Sequence, residues 1–204
     1  MHRHENVLLS IIGGFAVLVI VTYGLTLIGA GSTAAVRPRV ESTDPKLGAE
    51  RGKVNVVVFT DFECEFCKAE VPILKNVLAG YQKQVTLVFK DFPLPIHPNS
   101  NRASQIARCA QDQGKFWQMH DVLFAHQDEL GTVPLETLAK ESGTDAARLQ
   151  QCLDSGQAVA RVNAAIAEGK RLTITEVPTM FVGDTQLTGI LEEADLRRII
   201  EQHL

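Results

Sequence analysis

Two cysteines three positions apart, in Phe59-Thr60-Asp61-Phe62-Glu63-Cys64-Glu65-Phe66-Cys67-Lys68, are the residues whose type and spacing point most directly to chemistry. Such a pair can exchange electrons with another dithiol, one thiolate attacking a disulfide and the second resolving the mixed disulfide that forms. The pair falls where an apolar, largely β-branched run, Val54 to Thr60, gives way to a helical pattern. At a helix N-terminus the free backbone N–H groups and the positive end of the dipole favour a thiolate. Cys64 is therefore expected to titrate below the roughly 8.5 of a free cysteine and to act as the nucleophile. Cys67, about one turn on, is expected to be the resolving thiol. Asp61, Glu63, Glu65 and Glu70 face Lys68 alone in the same stretch. Like charge raises a thiol pKa, so the depression is expected to be moderate.

Two other readings of the C-x-x-C fit less well. Half of a zinc site needs further ligands, but the onward spacing is C-x2-C-x41-C-x42-C with no closely spaced His pair. No metal is expected on that pattern. A purely structural bond closing so short a ring contributes little loop entropy and leaves a helix N-terminus unused.

The elements that must position the pair follow from periodicity. Val54 to Thr60 reads as a central strand buried on both faces. Lys68 to Gly80 places Val71, Leu74, Val77 and Leu78 at helical spacing, and Val85 to Lys90 reads as a second strand. Strand, helix and strand of this length imply a right-handed parallel crossover. Asn99 to Gln113, Lys115 to His126, Leu135 to Ser142, Asp145 to Asp154 and Gln157 to Glu168 are helical in pattern, an insertion over residues 99–170. Thr179 to Val182 and Thr185 to Thr188 flank Gly183-Asp184 as a hairpin, and Glu192 to Gln202 closes the chain as an amphipathic helix. The fold class is α/β. Val177-Pro178-Thr179 precedes the hairpin; Pro178 either opens an edge strand or carries a cis bond, and the sequence leaves both open.

In this arrangement the chain resembles the DsbA-like branch of the thioredoxin superfamily. The likeness rests on the strand, the Cys64-x-x-Cys67 and its helix, the long helical insertion, and Val177-Pro178-Thr179 before a hairpin and last helix. Asp91-Phe92-Pro93-Leu94-Pro95-Ile96-His97, Ala110-Gln111-Asp112-Gln113-Gly114-Lys115-Phe116-Trp117 and His120-Asp121-Val122-Leu123-Phe124 add to it, over residues 54–203. The resemblance implies a thioredoxin fold with a helical insertion and a thiol:disulfide oxidoreductase working outside the cytoplasm, with a redox-active disulfide and no other cofactor. It implies a cis Pro178 opposite the Cys64 sulfur and a Val177 backbone that pairs with an extended substrate chain, with Glu65 and Phe66 as further substrate contacts. Phe116 and Trp117 are read as core packing. The chain departs from the pattern at Val58, where thioredoxin-like proteins often carry a buried acid six residues before the nucleophile; a carboxylate relay at that position is excluded. Lys90, at the end of the second strand, is read as a snorkelling surface lysine, the alternative being a part in proton handling.

Cys109 and Cys152 lie on predicted helices of the insertion and read as a structural disulfide, the alternative being two buried free thiols. The bond would place the domain in an oxidising compartment. The expected partners are reduced or unfolded exported proteins and a membrane quinone-linked reoxidase of the DsbB or vitamin K epoxide reductase type, the latter from the resemblance alone. Oxidation is the favoured direction; a reductase or isomerase, and a membrane-tethered peptide-binding or chaperone module, are the other readings.

Residues 6–36 contain no Asp, Glu, Lys or Arg, although these make up 22% of the chain. Val7 to Gly29 would span about 34 Å as a helix, enough to cross a hydrocarbon core of about 30 Å. It is expected to be an uncleaved signal anchor rather than a cleaved signal, whose apolar region is usually shorter. The expected organisation is a tail over 1–6, a transmembrane anchor over 7–29, a linker over 30–53 and the catalytic domain over 54–204. Arg3 on one side against Arg37, Arg39 and Lys46 on the other leaves orientation open. The cysteine chemistry favours a single-pass protein of the cell membrane with its domain on the extracytoplasmic, periplasmic side. The net charge of −4 offers no footprint for nucleic acid.

Overall fold

The computed structural model describes residues 37–204. The expected tail, the anchor over 7–29 and the first part of the linker lie outside the described residues. Among the described residues no helix is long and apolar enough to cross a membrane.

Strands β1 (Lys46–Gly48), β2 (Val54–Thr60), β3 (Val85–Asp91), β4 (Thr179–Val182) and β5 (Thr185–Thr188) form one sheet in the order β1-β3-β2-β4-β5. β2 and β3 are parallel, joined by helix α1 (Glu65–Ala79), as the crossover expectation required. β4 runs antiparallel to β2 and to β5, and β1 antiparallel to β3. Between β3 and β4 the chain forms α2 (Ser100–Gln111), α3 (Phe116–Ala125), α4 (Leu135–Ser142), α5 (Ala146–Ser155) and α6 (Gln157–Arg171), and α7 (Glu193–His203) ends it.

The alternation of side chains along β2 assigns its two faces. Val56 and Val58 pack with Leu74 and Val77 of α1 and with Leu196 and Ile200 of α7. Val57 and Phe59 share a core with Ala103 and Ala107 of the helical insertion and with Phe92 of the loop after β3. Gly169 of α6 lies so close to the Phe92 ring that a Cβ there would collide with it. Cys109 of α2 and Cys152 of α5 are joined by a disulfide across the insertion. At the hairpin, Gly183 has φ +61°, and His203 lies against the place a side chain would need.

Two expectations are corrected. The linker expected over 30–53 ends well before Lys53: β1 lies within it, and the preceding residues are tied down. The backbone N–H of Arg39 donates to Glu168 Oε1 at 2.6 Å, and the Thr43 carbonyl accepts from Arg108 Nη1 at 3.0 Å. The Trp117 indole donates to the Lys46 carbonyl at 2.9 Å. All three residues of β1 are exposed, so backbone pairing carries the strand and no apolar periodicity marks it. Lys90, expected at the surface, is 2% exposed and pairs with buried Asp44 at 2.6 Å. An ammonium stays in a core only when paired, and its partner lies 46 positions earlier, inside the segment read as linker.

Candidate active site

β2 delivers the chain to Thr60 at the edge of the core, and the turn Asp61 to Glu63 leads to Cys64, the residue that caps the N-terminus of α1. The cap adopts extended backbone angles, and Lys68 N–H donates to its carbonyl at 3.1 Å, the first helical bond. Cys67 lies within the first turn of α1. Both cysteines are free and buried. The helix starts three residues earlier than its apolar periodicity indicated, because Glu65 and Phe66 are exposed and carry no pattern.

The Cys64 thiol is held down to about 6, most strongly by a hydrogen bond from the Cys67 thiol. Burial works against this, the backbone N–H groups of Cys67 and Phe66 work with it, and the charge of Asp61 opposes it. The moderate depression expected from the sequence is present, but its leading cause is the neighbouring thiol rather than the helix terminus. Cys67 is pushed far up, first by burial and then by its role as donor to Cys64, with Thr60 partly offsetting. The two sulfurs thus divide the work: one readily ionised, the other strongly proton-retaining.

The acids near the pair do not act as one cluster. Asp61 is fully buried and pins the loop after β3: Oδ2 accepts from Leu94 N–H at 2.7 Å and lies 2.8 Å from His97 Nδ1, while Oδ1 accepts from Glu63 N–H at 2.8 Å. Glu63 turns its carboxylate away to the N-terminus of α2, accepting from the backbone of Asn99 at 2.6 Å and of Ser100 at 2.8 Å. That caps orphan donors and meets the positive end of the α2 dipole. Glu65 faces solvent, whereas Glu70 is 1% exposed and neither of its carboxyl oxygens has a hydrogen-bond partner. Burial, and then the charge on Cys64, push Glu70 up to about 8.

On the other side of the sulfur stands the turn before β4. The Val177–Pro178 peptide is cis, and Cys64 Sγ lies 3.6 Å from the Val177 carbonyl oxygen. The geometry therefore brings Cys64, Cys67, Val177 and Pro178 together, while Phe66, between the two cysteines in the chain, is exposed. Cys109 and Cys152 are set apart in the insertion. Phe116 is buried, and Trp117 packs against the core on both faces of the sheet.

Sequence reasoning missed Gln127 and the part played by Glu70. Gln127, in a short 3-10 turn after α3, donates through Nε2 to the carbonyls of Phe62 at 2.8 Å and Cys64 at 3.0 Å, holding the turn that presents Cys64. No local pattern marks a glutamine sixty-three residues away as a partner of that turn. Glu70 was legible only as a charge in a list, because the signal for burial, its i, i+3 spacing from Cys67, is shared by any helical neighbour.

A cavity of about 490 Å³ lies behind Cys67, between α1, the β1–β3 edge and α3. Val58, Leu74, Leu87 and Trp117 supply apolar walls, and Glu70 and His120 polar ones. His120 sits among Phe62, Phe89, Phe116, Trp117 and Phe124, and burial lowers its pKa.

A thioredoxin family model matches residues 41–202, and the chain belongs to that family. A sodium/proton antiporter, NhaA 3 of Salinispora tropica, is 33% identical over 143 residues, which are 70% of this chain and 22% of the antiporter. The chain thus spans about a fifth of that relative's length. Among solved structures, BdbD from Bacillus subtilis in its oxidised form superposes with a TM-score of 0.71 at 22% identity, covering 83% of this chain and 96% of that one. A thioredoxin-like oxidoreductase from Silicibacter pomeroyi superposes with a TM-score of 0.69 at 24% identity, covering 79% and 92%. At these identities the two structures share the fold with this chain.

Proposed function

We propose that the chain is a thiol:disulfide oxidoreductase that forms disulfides in exported proteins through Cys64 and Cys67. The observation that carries this reading is the placement of Cys64 at the head of α1, its sulfur 3.6 Å from the Val177 carbonyl beside the cis bond of Pro178, with Cys67 in the same helical turn. In the oxidised protein a substrate thiolate attacks the Cys64 sulfur; the bond to Cys67 breaks and a mixed disulfide forms. A second substrate thiolate then attacks the substrate sulfur of that bond, forming the product disulfide and releasing Cys64. A thiol held down to about 6 leaves readily as thiolate, which favours this direction. Val177 offers backbone for pairing with an extended substrate, and Pro178, Glu65 and Phe66 line its path.

The Cys109–Cys152 bond supports an oxidising, extracytoplasmic compartment, and the uncharged stretch over 7–29 supports attachment to the cell membrane. A quinone-linked membrane reoxidase would regenerate the Cys64–Cys67 disulfide. The test is the Cys67→Ser variant of the full chain in its native cell. Mixed disulfides with exported proteins should accumulate through Cys64 and vanish in Cys64→Ser; their absence from Cys67→Ser cells would refute the activity.

A further inference from the structure

We propose that Glu70 is the proton donor and acceptor for Cys67, working through water in the cavity behind α1; the inference rests on the dithiol exchange proposed above. Cys67 is the sulfur expelled when a substrate attacks the Cys64–Cys67 disulfide. It is deeply buried, and the fold disfavours its thiolate, so its departure needs a proton supplied at that moment. β2, the strand that leads to Cys64, supplies no acid here, since Val58 is on its side of the cavity wall. Three observations place the function on α1 instead.

Glu70 follows Cys67 by three residues, about one helical turn along the same face. Its carboxyl group is buried, and both oxygens lack a hydrogen-bond partner; leaving such a group unsatisfied costs about 1–3 kcal/mol or more. An orphaned acid at that cost asks for a role. The two residues also line one cavity of about 490 Å³, which has room for several waters at roughly 30 Å³ each.

The other titratable groups facing this cavity are His120 from α3, Lys75 from α1 and Lys83 from the turn after it. Lys75 is paired with Asp121 of α3 at 2.7 Å. His120 is buried among aromatic rings, which disfavours its charged form. β1, β2 and β3 present no titratable side chain to the cavity. Glu70 therefore stands as the carboxylic acid of this chamber.

Substrate thiolate forms a bond to the Cys64 sulfur, the Cys64–Cys67 bond breaks, and the Cys67 sulfur takes the electron pair together with the proton of Glu70. The products are the mixed disulfide, neutral Cys67 and a Glu70 carboxylate, which regains its proton through the cavity. In the reverse step the Glu70 carboxylate takes the proton from Cys67 as that sulfur attacks the mixed disulfide.

Stopped-flow reaction of the reduced full chain with dithiobis(nitrobenzoate) separates the two sulfurs. A first release of thionitrobenzoate reports attack by Cys64, and a second reports attack by Cys67 on the mixed disulfide. The wild-type second phase should rise with pH through an ionisation above the ordinary carboxylate range, because burial still raises Glu70 once Cys64 is bonded and uncharged. Glu70→Gln should slow that phase about 100-fold at neutral pH and erase the ionisation, in line with the weight of a general base, while the first phase persists. Glu70→Asp should restore part of the rate and the ionisation. An unchanged second phase in Glu70→Gln, equal slowing of both phases, or a wild-type second phase without an ionisation that Glu70→Gln removes overturns the role of Glu70. A wild-type protein that releases no second thionitrobenzoate overturns the dithiol exchange itself.

Discussion

Replacing Cys67 with alanine removes the donor that contributes most to lowering the Cys64 pKa. In the intact pair Cys64 stands at about 6, against an ordinary 9.0, so about nine-tenths of it is thiolate at pH 7. What remains in the variant is two backbone N–H donors opposed by burial and by Asp61. The Cys64 pKa should then rise above 7, leaving less than half of the group ionised at neutral pH. Thiolate absorbance near 240 nm, titrated on the reduced variant, reads this directly. A variant that still titrates at about 6 would refute the thiol–thiol bond as the leading cause and return the effect to the helix terminus. The same shift sets a pH dependence for the wild-type protein. An acid whose pKa falls on folding adds stability above its unfolded pKa and loses it as the pH drops through the folded value. The reduced protein should therefore gain on the oxidised one as the pH rises from 6 towards 9 and have no such gain below 6, while above 9 the buried Cys67, which keeps its proton, works the other way. At pH 7 the thiolate contributes about 1.4 kcal/mol, equivalent to about 30 mV towards an oxidising potential. Denaturant unfolding of both redox forms between pH 6 and 9 measures the difference; a constant difference across that range refutes it.

Lys90→Met leaves Asp44 buried and unpaired and should cost about 3–5 kcal/mol in denaturant unfolding, while adding Asp44→Leu should recover most of the loss; a cost under 1 kcal/mol in the single variant would show that the pair is not desolvated. Asp61→Asn removes a charge that raises the Cys64 pKa, so Cys64 should titrate lower, and it weakens the hold on Leu94 and His97, so the melting temperature should fall. An upward shift of the Cys64 titration in that variant would contradict the sign assigned to Asp61.

The sequence by itself determined the local parts. Near-continuous apolar, β-branched runs marked β2 and β3, apolar spacing of three and four residues marked the helices, and Gly183-Asp184 marked the hairpin, because each depends on interactions within a few residues. The cysteine pair was legible for the same reason, its chemistry following from three residues of separation at a strand-to-helix turn. What the tertiary structure alone decided was non-local. β1 carries no apolar pattern and exists by backbone pairing with β3; Lys90 is interior because Asp44 arrives beside it; Glu63 serves α2 rather than the sulfur. The fate of the acids around Cys64 likewise depended on burial. The sequence counted four like charges, but folding turned one to a helix end, used one to pin a loop, left one in solvent and sealed one beside Cys67. A charge acts through distance and dielectric, and both are properties of the folded chain rather than of its order of residues.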